Sequence, residues 1–213
     1  MTRPLPYRHW FWDFDGTLYD SYPAMVGFLL QALRLQGKEA DPAHVLRLMK
    51  DRMAVAARHF AGRREEQQVM QAFRDLSARA GLGDIQPYAG AGEALHAIAA
   101  RGGRHYLYTH RDRSAADALR RDGLWSLFSD AVTGEDGFPQ KPAPDALLHL
   151  MARHGLSAAD CVIVGDRPID LESGRNAGMA GLLFDPEDFF PQAPCQVRFR
   201  SFDQLLAWLD TGG

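Results

Sequence analysis

Five short apolar runs, at about His9–Asp13, His105–Thr109, Asp130–Thr133, Cys161–Gly165 and Ala180–Phe184, alternate with stretches of helical periodicity. Strands separated by helices cannot pair as hairpins, so the alternation reads as a parallel sheet with helices on both faces. Helices fit about Ala91–Ala100, Ser114–Arg121, Asp145–His154 and Leu171–Ala177, each punctuated by Gly or Pro. The expected fold class is α/β, a doubly wound parallel sheet of Rossmann-like type. Ligands of such sheets bind beyond the carboxyl ends of the strands.

Between Thr17 and Pro87 the pattern is helix only, with apolar spacing of three and four at about Ala24–Leu35, Pro42–Lys50, Arg52–Phe60 and Glu65–Ala80. A block this long after the first strand is no simple crossover. It predicts an inserted helical cap over the site, spanning 19–85, on a core made of 1–18 and 86–213, with hinges near Leu18–Tyr22 and Gly83–Tyr88. The tail predicts one more strand at Gln196–Arg200 and an amphipathic helix at Phe202–Leu209.

Polar residues cluster where the strands should end. In Trp12-Asp13-Phe14-Asp15-Gly16-Thr17 two carboxylates stand one residue apart, and in extended chain both face the same way. Burying two like charges at a strand end costs free energy unless a cation or a reaction uses them. The bland alternative is a turn at Asp15-Gly16 with Asp13 as a helix cap. Thr109 ends the second run, Lys141 precedes a helix, and Gly165-Asp166 is followed by Asp170. Singly, Thr109 is an ordinary strand residue, Lys141 a solvated charge, and Asp166 or Asp170 a turn or N-cap. Their recurrence at successive strand ends favours a site.

Asp13-x-Asp15-Gly-Thr17, Thr109, Lys141 and Gly165-Asp166-x-x-x-Asp170, in that order, resemble the four motifs of the haloacid dehalogenase-like hydrolases, whose commonest members are magnesium-dependent phosphatases. Pro87-Tyr88-Ala89-Gly90 and Asn176-Ala177-Gly178-Met179 resemble the family's helix entry and exit. One departure is His110-Arg111, where relatives often carry asparagine after the threonine.

The resemblance implies Asp13 as nucleophile and metal ligand. It implies Asp15 as general acid and base, with a raised pKa and a metal contact through its carbonyl, and Asp166 completing the metal shell. Asp170 would stand one step out from the metal or pair with Lys141. Thr109 and Lys141 would hold the phosphoryl oxygens, with backbone amides around Phe14, Asp15 and His110 as the rest of the cradle. Asp13, Asp166 and a phosphate dianion repel by roughly 4 kcal/mol per unit-charge pair at about 4 Å, so a hard divalent cation, Mg2+, is required. The expected activity is a magnesium-dependent phosphatase that hydrolyses a small phosphorylated metabolite through an aspartyl-phosphate. A sugar-phosphate mutase and a non-catalytic phosphate-binding module are the alternatives; Asp15 favours phosphoesters over halides and phosphonates, and Thr17 tilts toward hydrolysis.

With a net charge of -3 there is no pull toward nucleic acid or anionic membrane. Two cysteines give no disulfide framework, and the first residues lack the apolar core of a signal peptide, so a cytoplasmic protein is expected. The only lysines are Lys38, Lys50 and Lys141. Arg52, Arg58, His59, Arg63 and Arg64 concentrate positive charge in the helical block, where they read as a solvated face or as contacts to an acidic leaving group.

Overall fold

The computed structural model describes residues 4–81, 83 and 85–212. Asp84 in the expected second hinge, the first three residues, and Leu82 and Gly213 in the expected domain spans lie outside them. In chain order the elements are β1 (His9–Trp12), β2 (Tyr19–Asp20), α1 (Tyr22–Arg34), α2 (Pro42–Asp51), α3 (Met53–Ala61), α4 (Glu66–Ala80) and β3 (Gln86–Pro87). There follow α5 (Ala91–Ala100), β4 (Arg104–Tyr108), α6 (Ser114–Arg121), β5 (Phe128–Val132), α7 (Asp145–His154), β6 (Cys161–Gly165), α8 (Pro168–Asn176), β7 (Ala180–Phe184), β8 (Val197–Phe199) and α9 (Phe202–Thr211).

Among the described residues the main sheet is six-stranded, in the order β5-β4-β1-β6-β7-β8, and every pairing in it is parallel. β1 is interior, with Trp12 in register with Leu107 of β4 on one side and Val164 of β6 on the other. The chain winds outward from β1 through β4 to β5, then returns to build β6, β7 and β8 across β1. This is a doubly wound, Rossmann-like α/β fold, and the winding reverses at β1, the point beyond whose carboxyl end such sheets place their ligands.

The four residues of β1 explain why the sheet is covered on both faces. Phe11 points into a cluster with Tyr106, Ile163, Leu147, Leu150 and Leu171, which brings α7 and α8 onto that face. Trp12 points the other way, near Phe202 of α9, and its Nε1–H donates to His105 Nδ1 at 2.9 Å. Each fully buried aromatic or aliphatic side chain here contributes roughly 1.5–3 kcal/mol of transfer free energy. His105 is enclosed too: its Nε2 meets the carbonyl of Leu95 at 3.0 Å. Burial therefore lowers its pKa to about 4.

The chain divides into two compact units, Met1–Tyr19 with Pro87–Gly213, and Asp20–Gln86. The second contains α1 to α4 around an apolar core of Val26, Leu29, Leu33, Val45, Met49 and Val69. Asp41 caps α2 by accepting the His44 N–H at 2.8 Å. Of the arginines noted there, Arg58 is engaged by Glu66 in two contacts of 2.6 and 3.1 Å, which spends its fork within the unit. The chain passes between the units within β2 and β3, which pair as a two-stranded ribbon. Among the described residues no helix is long and apolar enough to cross a membrane.

Candidate active site

Asp13 follows β1 directly, and its N–H still donates to the Val164 carbonyl at 2.9 Å, so its side chain leaves from the last rung of the sheet. The chain then wraps tightly: the Phe14 carbonyl accepts the N–H groups of Thr17, Leu18 and Tyr19 at 3.3, 3.1 and 3.0 Å. Gly16 supplies the left-handed step at φ 77° that this turn needs. The wrap brings the Thr17 hydroxyl to 3.5 Å from both Asp13 Oδ2 and Asp166 Oδ1, at the outer limit of hydrogen bonding.

Lys141 enters from the loop before α7, fully enclosed. Its ammonium donates to Asp13 Oδ1 at 2.6 Å, Asp170 Oδ1 at 2.8 Å and the Tyr108 carbonyl at 3.1 Å, one acceptor for each of its three protons. The loop is pinned from several sides. The Lys141 N–H donates to His110 Nε2 at 3.0 Å, Asn176 donates to the Pro142 carbonyl at 3.0 Å, and Tyr108 Oη donates to the Ala143 carbonyl at 3.3 Å. His110 thus stands where relatives often carry asparagine and acts as an acceptor for the Lys141 backbone. Burial, then the Lys141 and Arg167 charges, press its pKa down to about 4 and keep it neutral for that role.

Asp166 follows β6, and Asp170 lies in the first turn of α8, where its Oδ2 accepts the Arg167 N–H at 3.1 Å. That contact starts α8 at Pro168, three residues before the start expected from periodicity. Gly165 makes the approach possible, because a β-carbon there would overlap the Asp170 Cβ and lie 2.6 Å from its Cγ. Among the described residues, Asp13, Asp166 and Asp170 are all buried and each offers an oxygen within 4.8 Å of the others. Burial pushes the Asp13 pKa above the usual carboxylate range against the pull of Lys141, with Asp170 and Asp166 adding to the rise. Burial also opposes ionisation of Asp170, but Lys141 and Arg167 outweigh it and hold its pKa low. Three carboxylates face Lys141 and the Arg167 guanidinium, whose Nε lies 3.8 Å from Asp166 Oδ1 and 3.9 Å from Asp170 Oδ2. The negative charge left over is what a hard cation would neutralise, and an all-oxygen donor set fits magnesium.

Asp15 is not in that trio. Its carboxylate turns to Arg111, whose Nε lies 3.0 Å from each oxygen and whose Nη2 donates to Oδ1 at 2.6 Å. Thr109 is buried just past the end of β4. Its N–H continues the sheet to the Val132 carbonyl at 3.1 Å, and its Oγ1 accepts the Arg111 N–H at 3.0 Å, leaving the hydroxyl proton to donate elsewhere. Asp13, Lys141, Asp166 and Asp170 are therefore in one contact network, with Thr109 and Asp15 beside it through Arg111. Sequence reasoning used Thr17 only to weigh hydrolysis and read Arg111, like His110 and Arg167, as either structural or neighbouring the substrate.

The sequence model of the haloacid dehalogenase-like hydrolases matches residues 11–183, a span that contains every residue of this network. The chain belongs to the haloacid dehalogenase-like hydrolases. It is 30% identical to a phosphoglycolate phosphatase of Vibrio vulnificus (strain YJ016), over 93% of this chain and 92% of that one. A crystal structure of a hydrolase from Streptococcus pneumoniae TIGR4, 30% identical, superposes with a TM-score of 0.63 over 84% of this chain and 94% of its own. A haloacid dehalogenase-like family protein, also from Streptococcus pneumoniae, shares the fold at a TM-score of 0.80, with 17% identity over 98% and 99% of the two chains. In this haloacid dehalogenase-like hydrolase the motif residues sit at the ends of β1, β4 and β6 and in the loop before α7, the edge on which doubly wound sheets place their ligands.

Proposed function

We propose that this protein is a magnesium-dependent phosphatase of small phosphorylated metabolites that works through an aspartyl-phosphate. The chain is a phosphoric monoester hydrolase, and the observation that carries the mechanism is the buried trio Asp13, Asp166 and Asp170 held against Lys141. Asp13 and Asp166, with the Asp15 carbonyl, would hold the magnesium ion, which supplies neutralisation of charge between carboxylates and phosphate. Lys141 orients Asp13 by gripping Oδ1 and leaves Oδ2 for attack. As the new bond from Asp13 to phosphorus forms, the ester bond breaks and the leaving oxygen takes a proton from Asp15. Water then gives a proton back to Asp15 as its oxygen attacks phosphorus and releases Asp13. Thr109 and Lys141 stabilise the charge spread over the transferring oxygens, with the amides around Phe14 and His110 as further donors. Asp170 acts at one remove, fixing Lys141.

The helical unit Asp20–Gln86 is the proposed cap, the part of the chain that selects what lies beyond the phosphate. The relative's name makes 2-phosphoglycolate the first substrate to test. Phosphate release from 2-phosphoglycolate and from an aryl phosphate should require magnesium, stop with a chelator and vanish in Asp13→Asn. Turnover that survives the chelator, or Asp13→Asn at wild-type rate, would refute the reading. Isomerisation of a sugar phosphate without phosphate release would indicate a mutase, and saturable binding with no turnover a binding module.

A further inference from the structure

We infer that Arg111 is a positioning residue for Asp15, gripping one carboxylate oxygen so that the other is presented for proton transfer. The inference rests on the phosphatase reading above. The grip is uneven: among the described residues Oδ1 receives two donors, Nη2 at 2.6 Å and Nε at 3.0 Å, whereas Oδ2 receives the shared Nε alone, at 3.0 Å. A carboxylate has about four lone-pair directions, so Oδ2 keeps room for the leaving oxygen or the attacking water. Arg111 is itself anchored at its backbone. Its N–H donates to Thr109 Oγ1 at 3.0 Å and its carbonyl accepts the Gly134 N–H at 2.8 Å, which fixes the root of the side chain at the ends of β4 and β5. The guanidinium also lies over the Phe14 ring, 5.5 Å from its centroid.

This pair differs from the protein's exposed ion pairs. The side chains of Arg111 and Asp15 are only 16% and 21% exposed, against 52% and 61% for Arg120 and Asp117. It also joins the loops after two different strands. An unheld Asp15 would be free to turn about two side-chain torsions. Holding a proton-transfer group within a fraction of an ångström of its working position removes an orientational cost from the reaction.

The test compares the first-turnover rate of alcohol release, with magnesium, for two esters in wild type, Arg111→Ala, Arg111→Lys, Asp15→Asn and the Asp15→Asn/Arg111→Ala double variant. An alkyl ester such as 2-phosphoglycolate needs a proton on its leaving oxygen, and p-nitrophenyl phosphate does not. Arg111→Ala should slow the alkyl ester by about 10-fold or more, within the range of acid–base catalysis, and the aryl ester by less than about 3-fold. KM should hardly move, and Arg111→Lys should recover part of the rate. In the Asp15→Asn background the arginine should make no further difference. Equal losses on both esters, an added loss in the Asp15→Asn background, or a change in KM alone would overturn the inference and assign Arg111 a structural or substrate-binding part. If Arg111→Ala does not fold, Arg111→Lys is read by the same ester comparison. A wild type that cleaves neither ester would instead defeat the phosphatase reading.

Discussion

Replacing Lys141 with methionine keeps the length and apolar stem of the side chain but removes a buried charge that three acceptors share at 2.6, 2.8 and 3.1 Å. What remains is three buried carboxylates with oxygens within 4.8 Å of one another, with the Arg167 Nε 3.8 and 3.9 Å from Asp166 and Asp170 as a cation left beside them. Each carboxylate pair repels by roughly 3–4 kcal/mol at an effective dielectric of about 20. Removing one partner of a buried ion pair typically costs about 3–5 kcal/mol, part of the strain being relieved as a carboxyl takes up a proton. Against a typical stability of about 5–15 kcal/mol the variant stays folded, with Tm lower by roughly 6–20 °C for a chain of this size. Magnesium stabilises each protein by about 2.7 kcal/mol at about 100 times that protein's Kd, and at one fixed concentration it should narrow the gap because the variant, having lost a positive charge beside the site, binds it more tightly. Turnover should fall by about 10²–10³-fold because the positive charge that orients Asp13 and offsets the charge on the transferring oxygens is gone. Thermal melts of both proteins with and without magnesium, beside phosphate release, measure all of this. A Tm within 2 °C (~1 kcal/mol or less) of wild type in the absence of metal would refute the reasoning, because the carboxylates would then not depend on the lysine.

Three further outcomes are expected. Thr17→Val, which keeps the shape and removes the hydroxyl 3.5 Å from Asp13 and Asp166, should raise the magnesium concentration needed for half-maximal activity by about 10-fold, as loss of outer contacts to metal ligands commonly does. Gly165→Ala should cost about 1–3 kcal/mol in a denaturant melt and lower activity as well, because the new methyl drives Asp170 off Lys141; unchanged activity would contradict the close packing. His105 is neutral and enclosed, with a pKa lowered from 6.5 to about 4. The unfolded chain takes up its proton first, so stability is intact above pH ~6.5 and is lost as pH falls toward 4, by about 3 kcal/mol in all. Urea midpoints at pH 7 and 5 should therefore differ more in wild type than in His105→Gln.

Long, periodic elements were legible in the sequence because their signals are local. α5, α6, α7, β6 and β7 run over the residues that apolar spacing and Gly or Pro punctuation mark out. Edges set by tertiary contact were not. β4 begins at Arg104 and ends at Tyr108, so Thr109 lies past the strand, where its hydroxyl meets the Arg111 N–H. α8 starts at Pro168 because the Asp170 carboxylate, already tied to Lys141, also accepts the Arg167 N–H.

The order of the chain alone determined a parallel sheet with its polar residues at one edge, because strand and helix periods and residue types at strand ends are properties of short segments. Which oxygen meets which donor was decided only when β1, β4 and β6 came side by side. Lys141 chooses Asp13 and Asp170 across 128 and 29 residues, and Arg111 takes Asp15 across 96. Such pairings depend on the register of neighbouring strands and on the water that packing excludes, and neither is encoded within a short stretch of sequence.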